Sequence, residues 1–471
     1  MSVLIQNGLV PVAEGYETTS IHLEGDRIVA ISPDLQTADV CIDATDKLIL
    51  PGFVNAHTHS PQIWQRGLIR PLPLELWLAD VFDAASSSNL DELYWGAVST
   101  AVETLLSGGT CIMDHVLLPW NQELEAAATV AQAYRDVGIR AFIAPLMMDE
   151  PFLAGLPRGR SRTSQPYPRS TADILALMES IIQQVHHPST GIQVAVGPTG
   201  FHRCSDALLQ GYAELSDRYN LCRHLHLLET QAQKLLAQEK YGESAVHHLQ
   251  QLGFLDHRTT LAHAVWLDDR DLEILANAQS TVVHNPLSNL RLGSGIAPIL
   301  KCRKAGVNVA FGCDGAASND AQDLLEALKL GTILHTLTEP DYRHWLTPRQ
   351  TVQMAALGGA KGVNLADQIG TLEVGKKADL VMYDLTNLSL LPRTDPIRSL
   401  ILGRPTHVVE AVWVDGTQVV AKNQPLKIDR QTLHHHLLTH RQQGQQVQFQ
   451  TIHQVEPHYR SLLPDFVQLD P

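Results

Sequence analysis

A histidine pair ends the apolar segment that spans residues 48–56. His57 and His59 are separated by one residue, and residues i and i+2 of an extended strand point to the same side. Both imidazoles can therefore face one point, as the ligands of a metal do. An isolated His-x-His pair is more often only a polar strand end, so this interpretation depends on further ligands elsewhere in the chain.

Two other strand ends supply such ligands. His226 ends a short predicted strand, and Asp314 follows the apolar residues 307–313. Imidazole nitrogens with one carboxylate suit Zn²⁺ or Fe²⁺, and the lack of a cysteine ligand argues against a closed structural site. His224 shares the strand face of His226, so spacing alone leaves the choice between these two open. A plausible metal site comprises His57, His59, Asp314 and His226, which is preferred to His224 partly because of the family resemblance given below.

Three more residues could move protons beside such a metal. Glu229 follows His226 closely, where its carboxylate could carry a proton from water to a ring nitrogen. His263 and His284 each end a further apolar segment, and one could act on the bound water while the other holds the substrate. The alternative for Glu229 is a solvated acid near the start of a helix. The alternative for His263 and His284 is a position in the core with their hydrogen bonds satisfied.

The elements that must position these residues alternate between apolar, β-branched segments and stretches of helical periodicity. Such alternation predicts an α/β protein with a parallel sheet, and eight units over residues 51–365 predict a (β/α)8 barrel of the TIM type. Catalytic groups of such barrels lie at the C-terminal ends of the strands. The strands are predicted to end near His59, His115, Pro145, Pro198, His226, His263, His284 and Asp314.

The two ends of the chain have a different pattern of apolar and polar residues from its middle. Residues 1–50 and 366–430 contain short alternating strands with Gly and Asp turns, which predicts one small β-sandwich domain formed from both termini. Residues 431–471 are expected to be a C-terminal tail. A solvated helix is predicted over 432–450, so the histidines at 434–436 are not assigned to a metal site.

Composition excludes several classes of function. The 471 residues include 35 Lys and Arg against 50 Asp and Glu, a formal charge of -15, which disfavours nucleic acid and anionic membrane as partners. The six cysteines form no Cys-x-x-Cys pair. No targeting signal or long apolar run is apparent, so a cytoplasmic protein is expected.

Residues 153–169 are rich in Pro, Arg, Gly and Ser. This composition is typical of a loop. An active-site lid and a surface insertion are both open interpretations.

Several segments that carry these residues resemble the amidohydrolase superfamily, specifically its aminohydrolase branch of adenosine-type, guanine and cytosine deaminases and triazine hydrolases. The resemblance extends over nearly the whole chain, which makes it specific. The matching segments are residues 51–59, 226–230, 261–263, 284–293, 312–319 and 370–379.

This resemblance implies that the four predicted ligands hold one divalent metal, zinc or alternatively iron. It implies that Glu229 shuttles a proton, that His263 lies beside the attacking water, and that Asp314 serves as base as well as ligand. Water would then replace the amino group on a ring carbon and release ammonia. Binuclear relatives bridge two metals with a lysine or a glutamate on the fourth strand, which residues 191–198 lack.

The resemblance also suggests which residues face the substrate. Trp77 would cover a planar ring, with a place in the core as the alternative. Arg203 could pair with a ring oxygen or a carboxylate, with a structural salt bridge as the alternative. Adenosine-type members carry a histidine where this chain has Thr199, which favours purine bases, pterins or triazine-like rings over nucleosides. The predicted substrate-binding residues are Gln65, Trp77, Thr199, His202, Arg203, His284 and Ser318.

The expected activity is therefore metal-dependent hydrolytic deamination of an amino-substituted nitrogen heterocycle. Alternatives are a triazine-type hydrolase that removes chloride or alkylamine, and a deaminase of S-adenosylhomocysteine or methylthioadenosine. Glu229, which triazine hydrolases can lack, favours deamination. A non-enzymatic barrel subunit would lack ligands, and none is missing. The expected partners are a small heterocyclic substrate and further copies of the chain in a homo-oligomer.

Overall fold

The computed structural model describes residues 2–85, 89–159, 167–443 and 447–467. A barrel of parallel strands forms its centre, and the predicted (β/α)8 fold is confirmed. Ile192–Val194 and Gly197–Pro198 both pair with the same neighbour, so they occupy one position of the barrel. The strands are Phe53–Thr58, Gly109–Val116, Arg140–Met147, Ile192–Val194, Gly197–Pro198, Arg223–Leu227, Thr259–His263, Thr281–His284 and Asn308–Phe311.

Two junctions close the barrel. Val196 bridges to Arg223 in parallel, which links the two runs of hydrogen-bonded strands. At the other junction the backbone N–H of Asp314 donates to the carbonyl of His57 at 2.9 Å. The backbone N–H of Cys313 also donates to Asn55 Oδ1 at 2.9 Å. These bonds bring the first and last strands side by side at their C-terminal ends.

Helices cover the outside of the barrel, and their ends follow local sequence rules. Ser205 and Thr230 cap two helix starts by accepting backbone N–H groups, and Gly138 and Gly242 end helices in the left-handed conformation. None of the helices in the described ranges has the length and apolar character needed to cross a membrane. The helices are Leu74–Ala85, Leu90–Leu106, Glu123–Val137, Thr171–Val185, Asp206–Tyr219, Gln231–Tyr241, Ala245–Gln251, Asp269–Asn277, Pro286–Arg291, Ile299–Lys304, Leu324–Ile333, Pro348–Gln353, Gly359–Gly362, Pro396–Gly403, Arg430–Gln443 and Ile452–Phe466.

Both termini contribute to one nine-stranded sheet beside the barrel. The N- and C-terminal parts meet where Leu50 pairs with Val381 in antiparallel register. Because side chains alternate along a strand, Ile49 packs in the core of this sheet while Leu48 and Leu50 pack into the barrel core. The strands are Ser2–Pro11, Tyr16–Glu24, Arg27–Ile31, Val40–Asp43, Lys47–Pro51, Leu380–Asp384, Val409–Val414, Thr417–Ala421 and Gln424–Pro425.

A buried ion pair joins the barrel to the terminal sheet. The Arg140 guanidinium lies 3.0 Å from Asp379 Oδ1 and 2.7 Å from Asp415 Oδ1. Side chains of Arg140 and Asp379 are only 5% and 1% exposed. Burial raises the pKa of the Asp379 carboxyl, although the positive charge of Arg140 opposes that rise. The pair therefore stabilises the interface only while both partners are present.

The C-terminal residues fold back onto the barrel. The helix Arg430–Gln443 covers only the first part of the helix predicted over 432–450, since residues 447–450 are not helical. Its His436 stacks on Trp95 at 3.9 Å. A second helix, Ile452–Phe466, was not predicted, because its two internal prolines disfavour helix. This second helix packs against Leu74–Ala85 through an apolar cluster that includes Leu156.

The segment 153–169, predicted as a lid or an insertion, is described only in part. Its residues 160–166 lie outside the described residues. The preceding turn Phe152–Gly155 and Leu156 are held against the C-terminal helix, and the carbonyl of Pro157 is 2.8 Å from His458 Nε2.

Replacing Arg140 by Met should lower the free energy of unfolding by about 3–5 kcal/mol, because Asp379 would remain buried without its cation. Urea unfolding followed by circular dichroism measures the change. The control is Arg460→Met, which removes an exposed pair with Glu456 and should cost at most about 1 kcal/mol. Equal effects of the two substitutions would contradict the interpretation of Arg140.

Candidate active site

Four of the predicted residues meet at the C-terminal end of the barrel. His57 Nε2 and His59 Nε2 each lie 3.3 Å from Asp314 Oδ1. His226 Nε2 lies 3.3 Å from His59 Nε2. The predicted ligand set is thus brought together from the first, fifth and last strands of the barrel.

Backbone carbonyls orient two of the three imidazoles. His59 Nδ1 is 2.5 Å from the carbonyl of His115, and His226 Nδ1 is 2.7 Å from the carbonyl of Thr199. A carbonyl can only accept, so Nδ1 carries the proton in both rings and Nε2 keeps its lone pair. Both lone pairs are therefore available at the centre of the cluster.

A chain of hydrogen bonds orients the third imidazole. The Thr260 hydroxyl donates to the carbonyl of Arg223, so its oxygen can accept from His224 Nδ1 at 2.6 Å. His224 Nε2 then accepts from His57 Nδ1 at 2.7 Å, and His57 Nε2 is left unprotonated. Both ring nitrogens of His224 are therefore engaged behind His57, which favours His226 over His224 as the predicted ligand.

The cluster fits a divalent metal. His57 Nε2 is buried and has no hydrogen-bond partner among the described residues. Burial lowers the pKa of His57 to about 3, so the ring is neutral at physiological pH, as a ligand must be. Three imidazole nitrogens and one carboxylate suit Zn²⁺ or Fe²⁺.

Glu229 and His263 lie beside this cluster. His263 Nε2 is 3.6 Å from Glu229 Oε2 and 4.0 Å from Asp314 Oδ2. His263 Nδ1 is 2.8 Å from Asn289 Oδ1, which leaves Nε2 facing the two carboxylates. Burial, and then the charges of Asp314 and Glu75, raise the pKa of Glu229 well above its usual value. A raised pKa favours the protonated carboxyl, which is the form that can donate a proton.

The backbone is strained where these side chains leave their strands. His263 and Asp314 have φ values of 72° and 60°, in the left-handed region that side chains other than glycine rarely adopt. Ala264 and Leu228 show the same sign of φ at 47° and 43°. Strain of this kind costs of order 1–3 kcal/mol per residue and concentrates at functional sites, where the fold supports it.

A cavity of about 590 Å³ opens above the cluster. His59, His226, Glu229, His263 and Asp314 form its polar floor. One wall is apolar and comes from the helix Leu74–Ala85. The predicted substrate-binding residues that line the cavity are Gln65, Trp77, Thr199, His202 and Arg203. Trp77 is anchored through its indole N–H, which donates to the carbonyl of Ala317 at 3.2 Å.

Two of the predicted substrate-binding residues lie behind this cavity. His284 Nε2 is 3.3 Å from His335 Nε2, and its ring packs on Phe311. The Ser318 hydroxyl donates to Asp314 Oδ2 at 3.1 Å. Neither residue is among the cavity-lining side chains, so direct contact with a substrate finds no support in this geometry.

Sequence reasoning missed several residues around the site. His115 stacks on His226 at 4.7 Å, and its buried Nδ1 has no partner among the described residues. Its position at the end of a barrel strand was a usable signal. Asn289 and Thr260 orient histidines from other strands, and no local pattern in the sequence marks such contacts.

Comparison with known proteins gives the family. Residues 48–419 match the model of the amidohydrolase family. The chain belongs to the amidohydrolase family. It is 34% identical to a 5-methylthioadenosine/S-adenosylhomocysteine deaminase of Thermococcus sibiricus over 429 residues, 89% of this chain and 94% of that protein. It is 31% identical to a 5'-deoxyadenosine deaminase of Methanopyrus kandleri over 446 residues, 92% of this chain and 97% of that protein.

Solved structures of this amidohydrolase family superpose over most of the chain. A triazine hydrolase variant gives a TM-score of 0.86 at 25% identity and covers 93% of this chain and 99% of its own. An adenosine deaminase from Xanthomonas campestris with bound zinc gives 0.84 at 27% identity, with 94% and 98% covered. The predicted family is confirmed. Three of the four proteins named here are deaminases, and deamination is the predicted activity.

The hydrogen-bond chain behind His57 generates a prediction. Replacing His224 by Ala removes the acceptor that holds His57 in its orientation, and zinc affinity should fall about 10- to 100-fold, as for other supporting partners of metal ligands. Competition with a chromophoric chelator measures the affinity. His187→Ala, an exposed histidine far from the cluster, is the control and should leave it unchanged. Unchanged affinity in His224→Ala would contradict the proposed support.

Proposed function

We propose that the chain is a zinc-dependent hydrolytic deaminase of an amino-substituted nitrogen heterocycle. The observation that carries this proposal is the position of Glu229 and His263 beside the cluster of His57, His59, His226 and Asp314, at the floor of a cavity. Hydrolysis of a cyclic amidine needs an activated water and a group that protonates the ring nitrogen. This arrangement has candidates for both tasks.

His57, His59, His226 and Asp314 are the proposed ligands of the metal, which when bound lowers the pKa of water towards roughly 7. Asp314 can take a proton from that water, because its Oδ2 faces His263 and accepts only from Ser318 in the described chain. His263 presents Nε2 to the same space and can hold the water in place. Glu229, whose pKa burial raises, delivers a proton to the ring nitrogen.

The proposed substrate is an adenine-type nucleoside. The relatives named above are deaminases of 5-methylthioadenosine, S-adenosylhomocysteine and 5'-deoxyadenosine. A cavity of about 590 Å³ with an apolar wall offers room for more than a bare ring. The sequence, with Thr199 in place of a histidine, favoured purine bases, pterins or triazine-like rings over nucleosides as substrates. The cavity and the relatives together support the nucleoside alternative instead.

Ammonia release from zinc-loaded protein tests this proposal. Adenosine-type nucleosides should react, and purine bases, pterins and aminotriazines serve as the comparison. Glu229→Gln should lower turnover by at least roughly 10²-fold while zinc is retained, because the proton-transfer group is lost. The matched control is Glu273→Gln on an exposed helix face. Silence across the whole panel, or near-normal turnover in Glu229→Gln, would overturn the proposal.

Replacing Asp314 by Ala removes both a proposed ligand and a proposed base. Zinc content, measured by plasma mass spectrometry, and turnover should both fall, with turnover reduced by at least about 10²-fold. Asp269→Ala, which removes an exposed carboxylate, is the control. Chelation of zinc from the wild-type protein should abolish ammonia release, and added zinc should restore it. A fully metallated and active Asp314→Ala variant would refute the site.

A further inference from the structure

His115 is a buried histidine that the proposed chemistry leaves unused. It lies at the C-terminal end of the barrel strand Gly109–Val116, and it is 0% exposed. Its ring centre is 4.7 Å from that of His226 and 5.7 Å from that of His59, which are both proposed metal ligands. Both contacts are stacked, with interplanar angles of 28° and 25°. His115 therefore lies within the same cluster of imidazoles.

One of the two ring nitrogens of His115 has a hydrogen-bond partner. Its Nε2 is 3.1 Å from the carbonyl of Gly197, and a carbonyl can only accept, so Nε2 carries the proton. Burial lowers the pKa of this imidazole well below its usual value, so a second proton on the ring is disfavoured. Nδ1 therefore keeps a lone pair, and this buried atom has no hydrogen-bond partner in the described part of the chain.

A comparison with neighbouring histidines shows what such a nitrogen means here. His224, whose ring centre is 5.0 Å from that of His115, has both nitrogens engaged by Thr260 and His57. His57 Nε2, in contrast, is a proposed ligand atom, and it too is buried without a partner among the described residues. A buried lone pair that receives no donor costs free energy. Coordination of a metal would satisfy His115 Nδ1 as it satisfies His57 Nε2.

The spacing of the imidazoles also fits coordination. One ring nitrogen from each of His57, His115 and His226 lies within 4.8 Å of the other two. The ligand atoms of His57, His59 and Asp314 form a second group within the same limit, and His57 is common to both groups. Two nitrogens bound to one metal lie at most about 4.2 Å apart, twice the metal–nitrogen distance. Modest side-chain rotations would therefore bring His115 to the ion held by the second group.

We propose that His115 is a further ligand of the metal, which binds through Nδ1 in addition to the four ligands already proposed. This inference rests on the proposed function, because it adds to the metal site on which that function depends. Four imidazole nitrogens and one carboxylate oxygen leave a sixth position for water. Zn²⁺, Fe²⁺ and Co²⁺ all accept imidazole and carboxylate ligands. Each would be held more tightly with His115 than without it.

X-ray absorption at the zinc edge tests this assignment without turnover, because it reports the imidazoles bound to the metal. Zinc-loaded wild-type protein should show four imidazoles, and His115→Gln and His115→Phe should each show three. Glutamine keeps a donor for the carbonyl of Gly197, whereas phenylalanine keeps the stacked ring and offers no ligand atom. Zinc affinity, measured with a chromophoric chelator, should fall at least about 100-fold in both variants, the upper end of the loss for an outer partner.

Cobalt-loaded protein provides a second spectroscopic measurement, since the visible absorption of Co²⁺ strengthens as its coordination number falls. The absorption should rise in both His115 variants. The control is His187→Ala, which removes an exposed histidine and should change neither the absorption nor the imidazole count. Unchanged imidazole counts and cobalt absorption in both His115 variants would overturn the inference even if affinity falls, because His115 would then only support the packing of the ligands.

Metal stoichiometry separates one shared site from two. Two zinc ions per wild-type chain, with one lost in the His115 variants, would overturn the inference by placing His115 at a separate site. Ammonia release by a wild-type protein with three bound imidazoles would also overturn this inference and leave the proposed function standing. Four bound imidazoles in a wild-type protein that releases no ammonia from any compound of the panel would overturn only the proposed function.

Discussion

The hydrogen bond from the backbone N–H of Asp314 to the carbonyl of His57 joins the first and last strands of the barrel. It also sets the distance between two of the proposed ligands, which lie more than 250 residues apart in sequence. The Gln322 side chain reinforces this junction, since its Nε2 donates to the carbonyl of Asp314 while its Oε1 accepts from Thr58. The geometry of the cluster thus depends on barrel closure, and the strained φ of Asp314 is tolerated because both sides of the junction are bonded.

The same constraint explains the layers of polar groups around the cluster. Parallel strands direct alternate side chains into the barrel, so histidines from several strands come close together. Each needs a partner for its second nitrogen, and carbonyls of neighbouring strands or the pair His224 and Thr260 provide them. Buried imidazoles that are neutral and fixed in one tautomer can bind a metal without reorienting. The free-energy cost of burying them is offset by the packing of the surrounding barrel core.

The cavity combines this polar floor with walls contributed by separate parts of the chain. The helix Leu74–Ala85 supplies an apolar wall on its inner side and contacts the C-terminal helix Ile452–Phe466 on its outer side. Phe82 of the helix Leu74–Ala85 and Phe152 of the turn Phe152–Gly155 both contact the guanidinium of Arg203. The floor and the walls of the cavity therefore come from elements that meet only in the folded chain.

Strand periodicity and short motifs are local properties, and they were enough to predict the barrel, the terminal sheet and the residue types at the strand ends. His57, His59, His226 and Asp314 could be proposed as ligands in this way, although spacing could not separate His226 from His224. The folded chain was needed to place His224 behind His57, to turn His284 towards His335, and to leave Arg203 without a carboxylate partner among the described residues. These outcomes depend on contacts between residues from different strands and loops, and side-chain direction within a barrel is set by such long-range neighbours.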